Sequence, residues 1–194
     1  MNDVGGNDMR YSYPVTAEIE ISGRPPFGAV LRHRPGTVLV GESGGAFGLV
    51  PAGRAPRHVT AVAEVSLRVQ TVVVTRPLPL SPDHVVVFAF GCRVNDPVLL
   101  LRFGCWDVEP VLARYLREDP VLDGLLESAG PAPGGRAWKE VAAHARRRDR
   151  FQPPFVPGMT CNLSFVELDH RPRAEPEPAE PEPAKTPQDY IWDE

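Results

Sequence analysis

The stretch Val85 to Leu116, VVVFAFGCRVNDPVLLLRFGCWDVEPVLARYL, changes its hydrophobic period part-way along. Few chain folds can satisfy both halves. At first Val85, Val87, Ala89 and Gly91 alternate with Val86, Phe88, Phe90 and Cys92, which predicts a strand able to bury both faces. After Pro97 the apolar residues recur at helical spacing. The switch is Asn95-Asp96-Pro97. Asp96 can accept the orphan N–H groups of a helix start, and Pro97 suits the first helical position, where no donor is needed. The block predicts a scaffold and names no reaction.

Upstream, Val15 to Ile21 alternates small or apolar with polar residues, as a half-exposed edge strand does. Ala29 to Leu31 and Thr37 to Val40 read as strands around the Arg34-Pro35-Gly36 turn, and Gly41 to Gly48 as a glycine-rich loop or hairpin bend. Further strands follow at Val59 to Leu67 and Val69 to Thr75. Pro77, Pro79 and Pro82 interrupt the series before Val85.

Downstream, Val98 to Phe103 predicts a short helix. Asp107 caps a second with Val108, Val111, Leu112, Tyr115 and Leu116 on one face. Asp119-Pro120 repeats the cap-and-proline device and opens a third, with Val121, Leu122, Leu125 and Leu126 inward. Ala137 to Arg150 forms a fourth, with Trp138, Val141, Ala142 and Ala145 opposite a basic end. Phe151 to Gly158 is broken by prolines, and Met159 to Leu168 reads as a last strand.

From Pro172 onward apolar residues almost vanish until Tyr190-Ile191-Trp192, so this segment is expected to be disordered with polyproline II bias. It dominates the charge balance. The whole chain carries −4, the segment from Ala174 has seven acidic residues against Lys185, and the remainder is therefore +2. Neither value suggests a nucleic-acid binder. No apolar run reaches the roughly 20 residues of a membrane span, and MNDVGGNDMRYSY does not resemble a secretory signal. A cytoplasmic location is expected, with any membrane contact peripheral.

Three cysteines, Cys92, Cys105 and Cys161, are expected to be reduced and buried, although a pair among them remains open. The five histidines form no HxH or HExxH spacing and there is no CxxC, so neither a metal site nor a cofactor is expected. Gly41 to Gly48 lacks the Gly-Lys-Ser/Thr ending of a phosphate loop, and Ser43 is not in a GxSxG elbow. No catalytic residue is assigned. An enzyme built from Cys92 or Cys105 and a distant histidine stands as one alternative, and a nucleic-acid accessory factor as another.

Two features point outward. Arg146, Arg147, Arg148 and Arg150 end a helix, where cations complement the macrodipole; they also offer contacts to an anionic lipid surface, to the chain's own acidic segment or, ranked last for want of interleaved exposed aromatics, to nucleic acid. Tyr190, Ile191 and Trp192 have no local core to join, so they either fold back on the body or anchor in a partner groove.

The sequence GCRVNDPVLLLRFGCWDVEPVLARYL resembles the middle of the stomatin, prohibitin and flotillin (SPFH, or band 7) domain, where a strand reaching a V-x-D-P turn precedes two short helices. Here the turn is Val94-Asn95-Asp96-Pro97. Val65 to Val72 is similar to the strand before the family's paired hairpin, and Pro35 to Val40 looks like its opening strand. Gly158 to Leu168 resembles the closing one. The likeness spans about Thr37 to Leu168. It implies an α+β domain, a curved and mainly antiparallel sheet with several short helices packed on it, acting in oligomeric membrane scaffolds without catalytic residues. The family's hydrophobic anchor and long Ala/Glu-rich helix have no counterpart here, so large rings are not expected.

The organisation expected is a flexible start over 1–14, one SPFH-like domain over 15–170, and a disordered Pro/Glu-rich tail with an aromatic end over 171–194. The role expected is a scaffold or adaptor that binds protein partners, with an anionic membrane surface as an additional contact.

Overall fold

The computed structural model describes residues 13–20, 30–32, 34–54, 58–130 and 135–170. The expected tail, with Tyr190, Ile191 and Trp192, lies outside the described residues, as does the start up to residue 12. Tyr13 and Pro14, grouped above with a flexible start, belong to the body. The Tyr13 ring is buried and its hydroxyl lies 3.1 Å from the carbonyl oxygens of both Arg68 and Cys92.

The mixed α+β class is found, with every strand pairing antiparallel and the strands divided among three sheets. Strands β1 (Val15–Glu20), β6 (Ala61–Ser66), β3 (Thr37–Ser43) and β4 (Ala46–Val50) lie in that order in one. The first strand is at the edge, as its half-polar alternation requires. Short strands β2 (Val30–Leu31) and β5 (Gly53–Arg54) pair with each other. The third sheet holds β7 (Gln70–Leu78), β8 (Ser81–Val94) and β9 (Met159–His170). The glycine-rich bend narrows to Gly44-Gly45, both at positive φ, between β3 and β4. Pro77 does not end its strand: β7 is an edge strand and shifts register beside Pro77, so the missing donor is tolerated.

Along β8 only one face is fully buried. Val86, Phe88, Phe90 and Cys92 are sealed, whereas Val85, Val87 and Gly91 are half-buried, with Ala89 alone of that face enclosed. Full burial of a Phe stabilises by about 2–3 kcal/mol, so Phe88 and Phe90 make β8 the spine of the core. That core also takes in Val40 and Val65 of the four-stranded sheet and Leu100, Leu112, Leu122 and Val141 of the helices. A smaller cluster, Leu31, Leu39, Val50, Val59 and Val62, lies apart from it.

The Asp96-Pro97 device works as the sequence predicts. Helix α1 (Pro97–Arg102) begins with the Leu99 N–H donating to Asp96 Oδ1 at 2.9 Å. The same turn seats the start of β9, because the N–H groups of Asn95 and Asp96 both donate to the Gly158 carbonyl, at 2.9 and 3.0 Å. Gly158 has φ +76°, and a Cβ there would lie 2.8 Å from the Leu100 nitrogen. Only glycine fits this contact.

Helices α2 (Glu109–Arg117), α3 (Pro120–Ser128) and α4 (Arg136–Phe151) follow. Two expectations need correction. Val108 is the residue that flanks α2, with Asp107 one position earlier accepting from the Glu109 N–H at 2.9 Å. Val121 faces solvent, 55% exposed, since only Leu122 and Leu126 of α3 reach the core fully.

Candidate functional site

Among the described residues the buried polar side chains are Glu64, Ser66 and Asp119. Glu64, on β6, is held by the Arg34 N–H at 2.8 Å and the Thr37 hydroxyl at 2.7 Å. It ties the Arg34-Pro35-Gly36 turn to the sheet.

Asp119 organises the helices. Its Oδ1 accepts from the N–H groups of Val121 and Leu122, at 3.1 and 3.0 Å, which caps α3. Its Oδ2 lies 2.8 Å from both His144 Nε2 and Arg148 Nη1. His144 and Arg148 are four residues apart, so α4 presents both on one face. An ionised carboxylate only accepts, which makes Nε2 the donor. Burial alone would push the Asp119 carboxyl up, but the Leu122 N–H, His144 and Arg148 hold it below its ordinary value. The Arg148 guanidinium also lies 4.2 Å above the Tyr115 ring, an edge of which meets Phe90 at 6.3 Å. Burial pushes the Tyr115 hydroxyl up to about 12, so it stays protonated and donates to the Gln152 carbonyl at 3.0 Å.

Beside this cluster a recess of about 330 Å³ opens between α3 and α4, lined by Val121, His144, Arg147 and Phe151 among others. No serine, threonine, cysteine or lysine lines it. With its carboxylate accepting three hydrogen bonds and paired with the Arg148 guanidinium, the Asp119 cluster joins helices and shapes the recess.

A second recess, about 520 Å³, lies between α1 and the Gln152–Gly158 connection, with Leu99, Phe103, Pro153, Phe155 and Met159 on its walls. Phe155 is 85% exposed, Phe151 72% and Phe103 65%. The residues 151–155 link the two recesses, Phe151 lining one and Phe155 the other.

The cysteines are free and buried. Cys92 and Cys161 are direct partners across β8 and β9. Their mutual interaction lowers the Cys92 thiol and, with burial, raises that of Cys161. Burial pushes the Cys105 thiol up to about 11. The groups acting on these thiols are one another, Asp107 and Asp149, with no histidine among them.

The four arginines of the sequence do not form one patch. Arg148 turns inward onto Asp119 with its side chain 17% exposed, so it is a clamp and not an open anion contact. Arg146, Arg147 and Arg150 are exposed and join no ion pair among the described residues, while Arg150 lies 5.8 Å from the Phe151 ring centre. The His144–Asp119 pairing was not read from sequence: the i, i+4 spacing of His144 and Arg148 is visible there, but not that their face meets the acid capping α3. Phe151 and Phe155 were also missed. Their signal was two aromatics in RFQPPFVPG, a proline-broken stretch that gives them no helix or strand face to bury.

Comparison with protein-family models, curated proteins and solved structures finds no match. Among the described residues no helix is long and apolar enough to cross a membrane, and no group of three or more His, Cys, Asp or Glu side chains is placed to hold a metal ion.

Proposed function

We propose that this chain is a non-catalytic adaptor module, SPFH-like in plan, that docks a protein partner presenting an acidic segment with apolar anchors. One observation carries the reading. Leu99, Phe103, Val121, Phe151 and Phe155, five of the exposed large apolar residues, each line one of two recesses that the run 151–155 connects along the chain. Exposed apolar patches of this kind mark interaction sites, and aromatic residues with arginine supply most interface energy. Arg102 on α1 and Arg146, Arg147 and Arg150 on α4 add exposed positive charge to the same elements. Tyr190, Ile191 and Trp192 provide a second, outlying anchor in this reading. The likeness to the SPFH strand-turn-helix block supports the plan, since that family works by assembly.

The test compares proteins captured from native lysate by the full chain, by Phe103→Asp/Phe155→Asp, and by Tyr190→Ala/Trp192→Ala. Vesicles containing phosphatidylserine and single-stranded RNA are run in parallel. A protein held by the full chain and lost with the Phe103/Phe155 variant supports the proposal. Equal capture by both chains contradicts it, as does binding confined to vesicles or RNA.

A further inference from the structure

Resting on the reading of this face as a docking surface, we propose that the α3–α4 recess is the seat of the chain's own segment Tyr190–Glu194. Its aromatic residues lie against Val121 and Phe151, and Asp193 and Glu194 face Arg147 and Arg150.

Charge is the first argument. The segment from Ala174 carries −6, while the rest of the chain carries +2 and exposes Arg146, Arg147 and Arg150 on one helix end without an ion pair among the described residues. Of the two acids lining the recess, Asp119 is engaged by His144 and Arg148 and Glu118 lies 3.8 Å from Arg114, which leaves Arg147 to a newcomer. Apolar matching is the second. The recess offers Val121 at 55% and Phe151 at 72% exposure, and Tyr190-Ile191-Trp192 are the bulky residues of a segment otherwise almost free of them.

Reach is the third. Asp149, in the last turn of α4, lies against the backbone of Leu163, which puts that helix end beside the middle of β9. From there to His170 is seven residues of strand, about 23 Å at the usual rise. Residues 171–189 then connect His170 to Tyr190, 19 residues in all. They would span about 24 Å as a relaxed coil and about 60 Å in polyproline II. The connection therefore covers the distance back without strain, and a linker whose length matches its span gives millimolar effective concentration. This favours the chain's own segment over a second copy. Its consequence is a self-masked adaptor: the anchor and the face cover each other until an acidic, aromatic partner displaces the segment.

The experiment uses the purified full chain labelled with 5-fluorotryptophan and read by fluorine NMR at low salt. Trp106, Trp138 and Trp192 give three resonances, and Trp192→Phe assigns the third. The Trp192 resonance is expected away from the free-indole position. It should move toward that position in Phe151→Ala and in Arg147→Glu/Arg150→Glu, the latter lowering the docked-to-free ratio roughly five-fold. Adding Asp193→Lys/Glu194→Lys to the arginine variant should restore it, which separates lost charge pairing from misfolding. A Trp192 resonance at the free-indole position in the unaltered chain overturns the proposal, as does one that neither variant moves. A shift that grows with protein concentration overturns it in favour of a second copy. No partner is present, so failure here leaves the capture experiment above to decide the adaptor reading by itself.

Discussion

Replacing Asp119 tests whether the polar cluster behind the recess holds the helical layer together. Asp119→Ala leaves the Val121 and Leu122 N–H groups without their cap, a loss of about 1 kcal/mol. It also strands Arg148 and His144, whose side chains are only 17% and 22% exposed. Removing one partner of a buried pair costs 3–5 kcal/mol, and the partial exposure here places the cost near about 3. The sum is about 4 kcal/mol. Asp119→Asn keeps an oxygen for the cap and loses the charge, so about 2 kcal/mol is expected. Urea unfolding at pH 7 reads both as shifts of the midpoint at constant slope. A loss below about 1 kcal/mol for Asp119→Ala, or equal losses for the two variants, would refute the reasoning. The sign with pH follows from the depressed carboxyl. Its contribution is complete above the ordinary Asp value near 4 and is lost as pH falls through the lower folded-state value. Below about pH 4 the unaltered chain should therefore lose stability more steeply than Asp119→Asn.

Other expectations follow from the same contacts. Gly158→Ala forces a Cβ against the backbone of Asp96 and Leu100 at a φ of +76° and should cost at least about 3 kcal/mol, whereas Gly44→Ala, at φ +59° with nothing near, should cost about 1; thermal unfolding compares them. Asp149 has an oxygen with no hydrogen-bond partner among the described residues, a carboxyl raised by burial, and a place in the last turn of α4, where negative charge is unfavourable. Asp149→Asn should stabilise by about 1 kcal/mol at pH 7, an advantage that shrinks as the pH falls through the raised folded-state value and is gone below the ordinary Asp value; a destabilised variant at pH 7 contradicts this. All three thiols should react slowly with a disulfide reagent in the native chain and promptly in urea, and a stoichiometric burst from one native thiol would show it is not sealed.

Local chemistry was legible where the answer lies within a few residues. Asp96-Pro97 and Asp119-Pro120 start their helices as the capping logic demands, and the alternation of Val86, Phe88, Phe90 and Cys92 names the buried face of β8. Hydropathy could not say that the opposite face of β8 would be half open, because the elements covering each face come from elsewhere in the chain. The long-range pairings were equally hidden. Nothing near Arg148 shows that it will leave its basic neighbours for Asp119, 29 residues earlier. Cys92 and Cys161 meet only through the β8–β9 register. Phe151 and Phe155 were legible in principle, since prolines around them deny either a regular buried face. Reading them demands asking which apolar residues have nowhere to go, a different question from which ones form the core.

The most direct test of the adaptor account is site-specific photo-crosslinking in native lysate, with a benzophenone amino acid at Phe155 and, as control, at Leu49. Both are exposed, at 85% and 64%, but Leu49 lies on edge strand β4 and lines neither recess. The account predicts a discrete protein adduct at Phe155, absent at Leu49 and weakened by Arg147→Glu/Arg150→Glu. The same adducts at both positions, or none at Phe155, would contradict it.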